Sequence, residues 1–456
     1  MEKNCKAIAV ASRAASLHLA ASSLAERNGV LESLCAVLRA RLPEVVAANA
    51  LDVAAAEAGG LDASVLKRLH LDEPKVRGLL DGLQALIALP DPLGRSTLSR
   101  TLSEGLELTR LSCPLGVLAI IFEARPEAVI QIASLAIKSG NAVILKGGKE
   151  AAHSNAVLVE VVRAALASTP CANTPPDAVQ LVSTREDVAE LLQLEELIDL
   201  VIPRGSLRLV REVKAATRIP VLGHADGICH VYLDPSADPA MAAPLVVDSK
   251  THYPAACNAA ETLLVHQGAV AHALPLVAQR LLQAGVTLHV DQHCKPTALA
   301  ALQAATAAAA AAPQQQQQQQ QLGGVVDAAA SDWDTEWLSL HMGVAAVGSC
   351  AEAVAWINRH GSGHTDAIIG SDGQAVDYFL RRVDSAGVYH NASTRFADGY
   401  RYGFGAEVGI STGKLHARGP VGLDGLCTYK YLLEGEGHTV ASFSGQAARQ
   451  WLHKDH

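Results

Sequence analysis

The chain is poor in aromatic residues, in charge and in anything that would pair its cysteines. Phe, Trp and Tyr make up 4% of its 456 residues, and Asp, Glu, Lys and Arg 18%. With so few rings, the core must be built from small aliphatic side chains, alanine above all. The nine cysteines are odd in number, scattered and without a CxxC pair. That excludes a disulfide framework and a structural zinc site, and it fits a reducing compartment. A basic excess is missing too: 37 Lys and Arg stand against 46 Asp and Glu, a net charge of −9. Such a chain has no electrostatic footprint for nucleic acid, so no nucleic-acid partner is expected. The longest uncharged tract, 298–326, is Ala and Gln with one Pro, too weakly hydrophobic for a bilayer, so no membrane partner is expected either. Met1 to Ala21 carries Glu2, Lys3, Lys6 and Arg13 where a secretory signal needs an apolar centre.

What remains describes a globular protein. The hydrophobic share is 49%, mean hydropathy is +0.18, and at ~100–200 residues per domain the length predicts two to four domains. Residues 1–90 read as helices, with Leu31, Leu34, Leu38 and Leu42 at helical spacing. Alternation through Leu106, Leu108 and Leu111 predicts a strand or hairpin. From residue 116 apolar runs alternate with helical segments: strands at 116–121, 141–145, 179–182 and 197–202, helices at 127–138, 149–168 and 188–194. Uninterrupted apolar strands separated by helices predict a parallel, doubly wound sheet. A second α/β stretch follows, with strands at 260–265, 286–290, 341–347 and 367–369, helices near 241–250, 268–284 and 350–359, and a late strand at 428–433. Ala307 to Ala312, Pro313 and Gln314 to Gln321 are low in complexity, and a disordered surface insert over about 303–330 is expected.

Few residues announce chemistry by themselves. Cys257 lies in a small-residue loop just before an apolar strand. An open approach with thiolate character would make it a nucleophile, but on these residues alone an inert buried cysteine is the better reading. Pro203-Arg204-Gly205-Ser206 follows a strand and opens a helix. That is an anion site or simply a Ser206 N-cap. Lys146-Gly147-Gly148 has the same placement. The dinucleotide fingerprint GxGxxG with its acidic partner is absent from this region, and Gly403 to Gly409 is followed by no helix. His224, Asp226 and His230 do not form a metal-ligand pattern, and no metal is expected.

Several longer segments carry a resemblance. They are Ile121-Phe122-Glu123-Ala124-Arg125-Pro126, Lys138 to Gly148, Ile202-Pro203-Arg204-Gly205, His224 to Tyr232, the Cys257 loop, Asn391 to Phe396 and Gly403 to Gly422. Together they resemble the gamma-glutamyl phosphate reductases, glutamate-5-semialdehyde dehydrogenases of the aldehyde dehydrogenase superfamily. The wording around Cys257 and Gly223 to Asp226 is close to the reductase half of plant pyrroline-carboxylate synthase. The likeness spans about 5–440, interrupted by the Ala/Gln insert.

The resemblance implies an aldehyde dehydrogenase-like α/β fold: a Rossmann-type NADPH-binding domain over 1–98 and 114–237, a catalytic domain over 238–394, a return to the cofactor domain over 395–425, and oligomerisation strands at 99–113 and 426–445. It implies reduction of gamma-glutamyl phosphate by NADPH through a cysteine thioester, in proline biosynthesis. Cys257 becomes the nucleophile, with Asn258 beside it at the oxyanion. Lys146, Gly147, Arg204, Gly205, Ser206 and Glu336 fall in the cofactor region. Arg125, His224, Arg395 and Arg418 are candidates for the substrate's phosphate and carboxylate, because an arginine fork binds either in two-pronged fashion. Each arginine also has the plainer reading of a surface salt bridge. Hydrolytic aldehyde dehydrogenases resemble the region but carry a Glu base where this chain has Gly223, and an oxyanion Asn near Ala124. The family further implies a homo-oligomer, glutamate 5-kinase as functional partner, and the cytosol, with a plastid as the alternative compartment. A non-phosphorylating aldehyde dehydrogenase and an inactive structural homologue are the competing readings.

Overall fold

Elements form where the apolar pattern and the caps agree. Helix Leu24–Ala40 opens on a capping box in which Ser23 and Glu26 exchange hydrogen bonds. Its Leu31, Leu34 and Leu38 are buried. The computed structural model describes residues 4–169, 171–223, 226–311, 322–446 and 448–456. In chain order the strands are β1 (Ser96–Ser103), β2 (Leu106–Pro114), β3 (Val117–Phe122), β4 (Ala142–Lys146), β5 (Val179–Leu181), β6 (Leu200–Arg204), β7 (Cys229–Leu233), β8 (Ala260–His266), β9 (Thr287–Val290), β10 (Val325–Asp327), β11 (His341–Val347), β12 (Thr365–Ile369), β13 (Gly387–His390), β14 (Gly409–Ser411), β15 (Gly419–Val421), β16 (Cys427–Glu434) and β17 (Lys454–Asp455).

They make two parallel sheets, an antiparallel flap and the short antiparallel pair β14-β15. The first parallel sheet has the order β5-β4-β3-β6 and the second β10-β9-β11-β8-β7-β12-β13. Every residue of β3 is buried, as expected of a strand covered on both faces. One apolar core surrounds the first sheet and includes Val408, Val421 and Leu426 from the end of the chain. Two further cores lie against the second sheet. The doubly wound α/β expectation therefore holds. In the flap the order is β16-β2-β1-β17. β16 pairs with β2 along its whole length, yet only its first residue is buried. No single helix among the described residues is long and apolar enough to cross a membrane.

The expected disordered insert shrinks. Gln303 to Ala311 continue the helix Lys295–Ala311, Val325–Asp327 is a strand, and Ala330–Asp334 is a turn of 3₁₀ helix. Alanine is the best helix former, and Ala301 and Ala305 are buried in the same core as Leu281. The glutamine run itself lies outside the described residues.

Candidate active site

The carboxyl ends of the first sheet meet the amino ends of the second. Cys257 lies in the loop between helix Pro239–Thr251 and β8. Two tight turns shape this loop: the Ala256 N–H donates to the Tyr253 carbonyl, and the Ala259 N–H to that of Ala256. Gly227 passes so close beneath it that an added Cβ would stand 2.2 Å from the Cys257 carbonyl oxygen. The Cys229 thiol donates to the same carbonyl at 3.3 Å. The backbone of the nucleophile loop is thus clamped from β7.

The thiol itself is half-buried. Burial pushes it up to about 12, and the Glu336 and Glu407 carboxylates push the same way. Arg395 and its own backbone N–H pull it back. The His364 Nε2 stands 3.2 Å from its sulfur. From β6, Arg204 reaches into the same space, where its field and that of Cys257 interact. Its guanidinium donates to the Glu407 carbonyl at 3.2 Å. The charge of Arg125 acts on Arg204, and Arg125 is exposed. Arg395 is buried, and its Nε has no hydrogen-bond partner. Asn258 donates from Nδ2 to the Ala397 carbonyl at 2.8 Å, while its buried Oδ1 is also unpartnered. Two orphaned polar atoms beside one thiol are what a polar substrate would satisfy.

Glu336 closes another side. Burial raises its carboxyl, which accepts the Gly227 N–H and feels Lys250. Lys250 and Glu261 form an ion pair, both fully buried. Burial lowers the Lys250 amine and raises the Glu261 carboxyl, and each charge holds the other in place. The Leu338 N–H donates to Glu261 at 3.4 Å, which ties the Glu336 segment to β8.

The remaining candidates fall into two groups. At the carboxyl ends of β3, β4 and β6, chain carboxylates already meet anion-binding amides. The Ser206 N–H donates to Glu123 at 3.0 Å, and the Ala124 N–H to Glu150 at 2.6 Å. Ser206 also caps the helix Leu207–Ala216. An added Cβ on Gly205 would stand 2.4 Å from the Glu123 carboxylate, and one on Gly147 2.0 Å from the Asn155 amide. Lys146 is half-buried at the end of β4. Arg418 stands apart: it donates to the Asp384 carbonyl at 2.9 Å and pairs with the Asp384 carboxylate at 3.4 Å. It lines a separate cavity of about 550 Å³ with Arg95 and His416. His224 lies outside the described residues.

Sequence reasoning missed His364, Lys250, Glu261 and Glu407. The Gly-Ser-Gly-His turn before β12 was the available signal for the first. For the others, nothing local separates them from ordinary surface charges.

Comparisons with known proteins fit this geometry. A sequence profile for the "Aldehyde dehydrogenase family" matches residues 2–333. "Gamma-glutamyl phosphate reductase 1" of Synechocystis sp. is 51% identical over 449 residues, covering 97% of this chain and 96% of its own. "Gamma-glutamyl phosphate reductase" of Synechococcus elongatus is 48% identical over 447 residues, covering 98% and 97%. The crystal structure of gamma-glutamyl phosphate reductase from Thermotoga maritima superposes with a TM-score of 0.87 at 35% identity, over 96% of this chain and 100% of that one. An acetylating aldehyde dehydrogenase from Geobacillus thermoglucosidasius shares the fold, with a TM-score of 0.65 at 18% identity over 95% and 97% of the two chains. The chain is an oxidoreductase that belongs to the aldehyde dehydrogenase family and, within it, to the gamma-glutamyl phosphate reductases.

Proposed function

We propose that this protein reduces gamma-glutamyl phosphate to glutamate 5-semialdehyde with release of phosphate, in proline biosynthesis, using NADPH and carrying the acyl group on Cys257. The observation that carries the reading is the setting of Cys257: a clamped loop, a half-buried thiol, and Arg204 and Arg395 within electrostatic reach. Two guanidiniums suit a dianionic phosphate and a carboxylate. The thiolate attacks the acyl carbon and phosphate departs, leaving a thioester. Arg204 and Arg395 hold the anionic substrate and favour the thiolate. Asn258, with its unpartnered Oδ1, orients the substrate, and backbone N–H groups near Cys257 and Asn258 steady the oxyanion. Losing one such donor costs ~3–4 kcal/mol.

The residues present also fit a nicotinamide dinucleotide. The Ser206 and Ala124 amides, which donate to chain carboxylates, are placed to bind anions. Lys146, Gly147, Gly205 and Ser206 would hold its phosphates and Glu336 its ribose, with Arg204 between the two halves. When bound, the cofactor supplies the hydride that reduces the thioester. The preference for a 2′-phosphate rests on Lys146, because Arg204 faces Cys257.

Arg125 completes the anion site. Arg418, paired with Asp384, serves the substrate only if that pair opens. Glutamate 5-kinase is the functional partner, because it makes the acyl phosphate. The exposed face of β16 carries Tyr429, Tyr431 and Leu433, which suits strand pairing in a homo-oligomer. The cytosol is the compartment that fits the free thiols.

The test is the reverse reaction. Glutamate 5-semialdehyde and NADP should give NADPH continuously only when phosphate is supplied. Sustained turnover without phosphate would assign a non-phosphorylating dehydrogenase instead.

A further inference from the structure

We propose that His364 is the general base of the reaction: its Nε2 takes the proton from the Cys257 thiol and passes it to the departing phosphate. The inference deepens the function proposed above and rests on it for the identity of the leaving group.

The imidazole is fixed for that task. His364 is buried, and its carbonyl accepts the Gly387 N–H at 3.0 Å while that of Gly363 accepts the Ala386 N–H at 2.9 Å. On the other side, the Ser362 hydroxyl accepts the Ile228 N–H at 2.9 Å. Gly363 has φ +71°, which turns the chain into β12. Because β12, β7 and β8 are neighbours, this turn lies beside the Cys257 loop. The ring then bridges two groups: Nδ1 is 2.8 Å from the Thr365 hydroxyl and Nε2 3.2 Å from the Cys257 sulfur. With Nδ1–H donated to Thr365, the Nε2 lone pair faces the thiol. The nearby acid, Asp366, is committed to His230 and Ser385.

The thiol needs a base. Glu336, Glu407 and burial oppose its ionisation, and Arg395 and Arg204 only partly offset them. The S–H proton moves to Nε2, and the resulting thiolate then forms the S–C bond. As the C–O bond to phosphate breaks, the imidazolium gives that proton to the phosphate oxygen, and neutral His364 is restored. No net proton, electron or co-reactant is needed in this half-reaction.

Alkylation of Cys257 by iodoacetamide reads the pair without substrate or cofactor. The rate is followed by peptide mass spectrometry from about pH 5 to about pH 10, for wild type, His364→Ala and His364→Gln, with thermal melts as a check on folding. At pH 7 both variants should alkylate about 10²-fold more slowly, the low end for loss of a base. Their rates should climb with pH to the top of the range, whereas the wild-type rate levels off earlier. Added imidazole should restore a large part of the His364→Ala rate. Coincident pH profiles overturn the proposal, and so does a loss in folded variants that imidazole leaves untouched. If His364→Ala fails to fold, the His364→Gln profile decides alone. Should the wild type alkylate as expected yet show no phosphate-dependent turnover, the reductase reading fails and the His364–Cys257 pair stands.

Discussion

Gly227→Ala should disable the enzyme by moving its nucleophile. The added Cβ would lie 2.2 Å from the Cys257 carbonyl oxygen and 2.5 Å from its Cα. Both are backbone atoms, so no side chain can swing aside, and more than an ångström of displacement is needed to reach ordinary contact. The Gly227 N–H also holds Glu336, so two groups of the site shift together. Misplacing a reacting group by about 1 Å costs about 10² in rate, and overpacking costs about 1–3 kcal/mol of stability. Steady-state NADPH formation should fall about a hundredfold while the thermal melt drops only modestly. Gly223→Ala is the internal comparison. Its nearest neighbour would be Pro203 at 3.6 Å, an ordinary contact, so its rate and melt should stay near wild type. A wild-type rate in Gly227→Ala would refute the clamp.

Three further outcomes follow from the same geometry. Lys250→Met strands the Glu261 carboxylate in the core and should cost ~3–5 kcal/mol in urea unfolding, whereas Lys250→Met with Glu261→Leu should recover most of it; equal losses would mean the pair is not coupled. Burial holds the Glu407 carboxyl above its ordinary pKa, so its contribution is favourable when protonated and fades as pH rises through the folded value. Glu407→Gln should therefore gain melting temperature relative to wild type as pH rises from the ordinary Glu value of about 4, and a gap that narrows with pH would contradict the assignment. Tyr431→Lys with Leu433→Lys on the outer strand should produce smaller species in sedimentation velocity; an unchanged distribution would place the subunit contact elsewhere.

The sequence revealed most where burial is symmetric. β3 is an unbroken apolar run and β4 is one up to Lys146, because both faces are covered; β8 and β11 keep apolar stretches at 263–265 and 344–347, and all four were readable within a residue or two. β7 was not, since His230 and Tyr232 interrupt its apolar pattern; the structure buries both, one against Asp366 and one beside Phe379. Helix Gly373–Arg382 escaped because it is largely polar and buries only Phe379 fully. The alanine tract misled in the other direction. Low complexity suggested disorder through 303–311, but intrinsic helix propensity and contact with the core carry the helix to Ala311. The site divides the same way. Cys257 stood out only through its family wording, because nothing local distinguishes it from Cys229, the buried thiol that donates to its carbonyl. His364 lies 107 residues further along the chain, and only the strand order brings the two together.

The most direct test of the account is a trapped acyl-enzyme. Wild-type protein is incubated with glutamate 5-semialdehyde and NADP but no phosphate, then quenched and digested for mass spectrometry. One gamma-glutamyl group should appear on the Cys257 peptide, with an NADPH burst of about one per active site, and added phosphate should remove the group and start turnover. An unmodified Cys257 after the burst, or a label on any other cysteine, would contradict the central claim that the reaction runs through this thiol.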